Sequence, residues 1–255
     1  MVFGGYGTSL FFLFILLTPP LFAEDLPVIW LEAGKEYQFR SIIPEAIPGH
    51  WTLLFEHRTL ASVTVSDAAK NVGIEPTFKT PPLNPGITLK AQLILGDTVH
   101  YDVVIASRYP FEDRKEWFDK HPIALYDPEK TTRETFEEEE IPFQRLNSYA
   151  DIESVEGAVI VVGQNTDFDT EKGLSKLLFQ KAEKGASILV AAPAGEFFPY
   201  NPSLPMIVIQ FSEKFGKKQG KIVFDKELRF FDSIESRWHF KSLIESLTLT
   251  KGDQP

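Results

Sequence analysis

Gly157–Pro193 reads GAVIVVGQNTDFDTEKGLSKLLFQKAEKGASILVAAP. Two apolar runs, Ala158–Gly163 and Ser187–Pro193, bracket a polar loop and an amphipathic segment. An unbroken apolar run is how a strand buried on both faces of a parallel sheet reads. Between the runs, Leu174, Leu177, Leu178 and Ala182 recur at helical spacing on one face. Gly185 follows, where a helix C-terminus takes a left-handed residue. The stretch predicts a βαβ unit inside an open α/β sheet. Such sheets gather their binding groups in the loops after the strands, here Gln164–Asp169.

Working outward, the strand–helix alternation begins at His121. Ile123–Tyr126 reads as a strand, and Asp127-Pro128 as an N-cap and first-turn proline. A helix over Glu129–Glu140 follows, its last turn holding four carboxylates against the helix dipole, so that the end frays into solvent. Next come a strand over Pro142–Leu146 and a short helix or turn over Asp151–Glu156. Beyond the βαβ unit, Pro205–Phe211 reads as another buried strand. Lys221–Val223 and Leu228–Phe231 are strand candidates, and Trp238–Leu247 has helical spacing. Together these predict a doubly wound parallel sheet.

Upstream the rhythm is that of short strands without a helix: Val28–Glu32, Glu36–Ile43, Trp51–Glu56, Ser62–Val65, Phe78, Ile87–Leu95 and Val99–Ile105. Gly96-Asp97 is a hairpin turn between the two longest runs. This spacing predicts an immunoglobulin-like (Ig-like) all-β sandwich. Leu10–Leu17 (LFFLFILL) is a short apolar core ahead of Ala23, and reads as a signal peptide cleaved after Ala23. The expected organisation is a signal peptide over 1–23, the sandwich over 24–107, a charged and aromatic connector over 108–120 and the α/β domain over 121–255. In the connector, Trp117 and Phe118 are expected to pack against a domain.

The net charge of −10, with no Lys/Arg run longer than two, argues against nucleic acid and anionic membrane surfaces. The absence of cysteine excludes thiol nucleophiles, thiolate metal sites and disulfides. No G-x-S-x-G, Walker loop or G-x-G-x-x-G occurs, and none of the five histidines is paired at metal-ligand spacing. Asp167, Asp169 and Glu171 alternate as in a calcium loop, without its glycine or closing glutamate. Capping by Asp169 or Thr170 of a helix starting at Glu171 explains them better. No catalytic, metal or cofactor site is expected. The candidate ligand cleft is Gln164, Asn165, Asp167 and Asp169 with Glu196 from the next post-strand loop.

PIALYDPEKTT, IPFQRL, GAVIVVGQ and GASILVAAPAG together resemble the class I glutamine amidotransferase-like domain, a flavodoxin-like layered fold. In catalytic members the strand equivalent to SILVAAP runs into a sharp turn carrying a cysteine. Here that stretch is Ala191-Ala192-Pro193-Ala194-Gly195, with no later His-x-Glu pair. The resemblance therefore implies a degenerate, non-catalytic domain, and the arrangement as a whole resembles exported bacterial proteins. The expected function is binding or assembly in the cell envelope, periplasmic or extracellular, toward a protein or carbohydrate, with no membrane span after signal cleavage. Two alternatives stand beside it. One is a hydrolase of polysaccharide or peptide using Asp167, Asp169 and Glu196. The other is sugar binding by the sandwich through Trp30 or Trp51.

Overall fold

The computed structural model describes residues 26–66, 76–112, 114–195, 204–211 and 220–248. The signal segment and Glu196 lie outside these. In chain order the elements are β1 (Val28–Glu32), β2 (Glu36–Gln38), α1 (Phe39–Ile42), β3 (Gly49–Phe55), β4 (Arg58–Val65), β5 (Thr77–Lys79), β6 (Thr88–Leu95), β7 (Thr98–Ala106) and α2 (Lys115–Lys120). They continue with β8 (Ile123–Tyr126), α3 (Thr131–Glu138), β9 (Gln144–Leu146), a 3₁₀ turn (Tyr149–Ser154), β10 (Val159–Val162), α4 (Leu174–Glu183), β11 (Ser187–Ala191), β12 (Met206–Gln210), β13 (Lys221–Asp225) and α5 (Ile234–Thr248).

The chain divides into two compact units. One is built from Ile123–Lys130 and Gln144–Glu227. The other takes the described parts of Pro20–Pro122 and Leu228–Pro255 together with Thr131–Phe143. The first is an α/β unit and the second is strand-rich.

In the α/β unit a six-stranded sheet runs in the order β12-β13-β11-β10-β8-β9. β9, β8, β10, β11 and β13 are parallel, and β12 is antiparallel to β13. The βαβ reading of Gly157–Pro193 holds. β10 and β11 are parallel neighbours in register from Ile160 opposite Ile188. Leu174, Leu177, Leu178 and Ala182 of α4 are all buried, in one cluster with Ile160, Val162, Ile188 and Val190. Each leucine so buried contributes about 1.5–3 kcal/mol. The helix ends in the two bonds that a left-handed glycine permits: Gly185 N donates to Ala182 O at 2.9 Å and Ala186 N to Lys181 O at 3.1 Å.

Four expectations for this half of the chain are corrected. Pro205–Phe211 is not a buried strand, because β12 is an antiparallel edge strand with Met206 45% and Val208 40% exposed. Leu228–Phe231 is a turn rather than a strand, with Phe231 at φ 61°. Its leucine and two phenylalanines are buried, and that is the source of the strand-like pattern. The helix after β8 starts at Thr131, not Glu129. Asp127 opens a turn closed by Lys130 N donating to Asp127 O at 3.3 Å, and Lys130 takes φ 68°, so Asp127 is no N-cap. Nor does the acidic end fray: Glu140, left-handed at φ 55°, closes α3, with Glu140 N donating to Glu137 O at 3.3 Å and Ile141 N to Phe136 O at 2.9 Å.

In the strand-rich unit a five-stranded sheet runs β1-β7-β6-β3-β4, mixed because β1 is parallel to β7, and β2 and β5 form a separate antiparallel pair. Trp51, Leu53, Leu93, Val103 and Ile105 alternate onto one face and form a core with Phe39 and Phe78. The segment Glu36–Ile43 is not one strand. It breaks after Gln38 into the single turn α1, which points Phe39 into that core at 0% exposure. The same unit holds a phenylalanine cluster. Phe136 of α3 meets Phe230 and Phe240 at 5.4 Å each, and Phe111 meets Phe118 at 5.4 Å and Phe240 at 5.6 Å. Phe118 of the connector is thus packed, at 5% exposure.

Candidate functional site

At the C-terminal edge of the parallel strands, the loop after β10 leaves the sheet at Gly163, whose N donates to Tyr126 O at 2.8 Å. Gly163 has no room for a side chain: a Cβ there would fall inside the carboxylate of Asp127. The pair sits between β8 and β10, where the strand order reverses direction and an open sheet offers its crevice. Asp127 therefore lies across that position.

The loop then pairs with the segment after β11. Asn165, left-handed at φ 60°, donates its N to Ala192 O at 3.0 Å. Ala194 N donates to Thr166 O at 3.0 Å, and Phe168 N to Ala194 O at 3.2 Å. Asp167 and Ala194 form a parallel bridge. Thr166, fully buried, closes the base by donating Oγ1 to Gly163 O at 2.8 Å. The two post-strand loops are one hydrogen-bonded ridge.

Gln164, Asn165, Asp167 and Asp169 all occupy this ridge, with Asn165 and Asp169 exposed and Gln164 and Asp167 half-buried. The fifth candidate, Glu196, lies outside the described residues, although Gly195 before it abuts the acids. A Cβ on Gly195 would stand 2.8 Å from Asp167 Oδ1 and 2.9 Å from Asp169 Oδ2. Asp167 engages both carboxylate oxygens with its own loop: Oδ1 accepts from Asp169 N at 2.9 Å and Oδ2 from Thr170 Oγ1 at 2.6 Å. The Thr170 and Asp169 bonds hold its carboxyl below the usual carboxylate range. Capping by Asp169 or Thr170 is overturned. α4 begins later, its N-cap is Gly173 and it receives no side-chain cap, because Asp167 draws those two residues into a turn ahead of the helix.

Three features escaped the sequence reading. The first is the Asp127–Gly163 contact. The second is Tyr126, the last residue of β8, which is 4% exposed. Burial, with a hydrogen bond to the Glu171 carboxylate, pushes its phenol above the ordinary value of 10.0. Nearby, Tyr149 Oη donates to Lys172 O at 3.2 Å, so two tyrosines fasten the end of the loop. The third is the backbone of Ala192, at φ 34° directly after β11, with its N donating to Asp225 O at 2.6 Å. Left-handed backbone on a residue with a Cβ costs about 1–2 kcal/mol and persists where the surroundings over-determine it. The methyl at this elbow is 4% exposed.

Among the described residues no cluster of His, Cys, Asp and Glu has metal-holding geometry. No described helix is long and apolar enough to cross a membrane. In the strand-rich unit Trp51 offers no open ring face. It is 2% exposed, packs on Phe39 at 5.5 Å and donates Nε1 to Ile47 O at 2.9 Å. No family model, curated protein or solved structure matches the chain.

Proposed function

We propose that this chain is an exported, non-catalytic binding or assembly protein of the cell envelope. In this reading it joins an Ig-like sandwich to a degenerate, amidotransferase-like domain of flavodoxin-like arrangement. The observation that carries the proposal is Ala192. The elbow after β11 keeps strained backbone at φ 34°, yet presents a buried methyl where catalysis needs an exposed nucleophile. The strand order supports the arrangement: β9-β8-β10-β11 is second, first, third, fourth within its unit, the flavodoxin-like sequence. The ridge Gln164–Asp169 is the binding surface, stiffened by its backbone pairing to Ala192 and Ala194.

A carboxylate hydrolase needs an acid and a base or nucleophile facing one cleft. Asp167 is committed to Asp169 and Thr170 instead. The test is a screen against amide, ester, peptide and glycoside substrates. The expected result is no turnover by the folded protein. Turnover that disappears in Asp167→Ala, with folding unchanged, overturns the proposal.

A further inference from the structure

We draw no further inference here: the strongest candidate, the half-buried side chain of Arg40 on α1 in the strand-rich unit, keeps one guanidinium nitrogen buried without a hydrogen-bond partner, and no second group in the structure converges on it to show what it would meet.

Discussion

Gly163 shows how one side chain can close the place where an α/β sheet opens. Its Cα is covered by the Asp127 carboxylate, and a methyl group there has nowhere to go. Gly163→Ala is expected to destabilise the protein by about 1–3 kcal/mol, the cost of overpacking a filled site. The contact and not the backbone sets this cost, so Asp127→Ala should restore most of it. A double-mutant cycle by urea denaturation measures the coupling, and additive effects of the two substitutions refute the account. Neither residue announces this in the sequence, where Asp127 before Pro128 reads as a helix cap. The competing turn to Lys130 wins, and that turn depends on a left-handed backbone no local pattern reports.

Among the elements, β8, β10, β11 and α4 were legible because burial on both faces, or on one stripe, writes itself directly into residue type. β12 shows the limit of that signal. An apolar run reports which faces are buried and says nothing about whether strands stand on both sides. Leu228–Phe231 shows another limit, since buried aromatics in a turn imitate a strand. The Tyr126–Glu171 bond, which ties the loop to the end of β8, has no local signature because its partners are distant in sequence. Tyr126→Phe should cost about 1 kcal/mol at neutral pH. The folded phenol ionises above its ordinary 10.0, so its contribution is complete below about pH 10 and is lost as pH rises further, where the unfolded chain gives up the proton first. The gap between wild type and Tyr126→Phe should therefore narrow in denaturation measured at about pH 11 compared with pH 7. A constant gap across that range would remove Tyr126 from the balance.

At the scale of the molecule, the strand-rich unit draws on segments far downstream of its sheets. Trp238 of α5 donates Nε1 to Ser107 O, just after β7, at 2.9 Å and is 7% exposed. Lys241 lies over the Trp238 ring at 5.1 Å and pairs with Glu245 at 2.8 Å. Phe111 rests on Phe118 and on Phe240. An ion pair between Arg237 and Glu139 joins α5 to the end of α3. These contacts mean that the sheets and the residues around Phe111 and Phe118 are completed only when Thr131–Phe143 and Leu228 onward are present. A chain ended after Lys120 retains every strand of that unit, yet uncovers Phe111 and leaves the Ser107 carbonyl without its indole partner. Leaving such apolar surface and a polar group unsatisfied removes several contributions of about 1–3 kcal/mol each, comparable with the whole stability of a small domain. The shortened chain should lose the cooperative thermal transition and the near-ultraviolet circular dichroism of the full chain. If it instead unfolds in one sharp step with native near-ultraviolet signals, the downstream helices are accessories and the strands suffice alone.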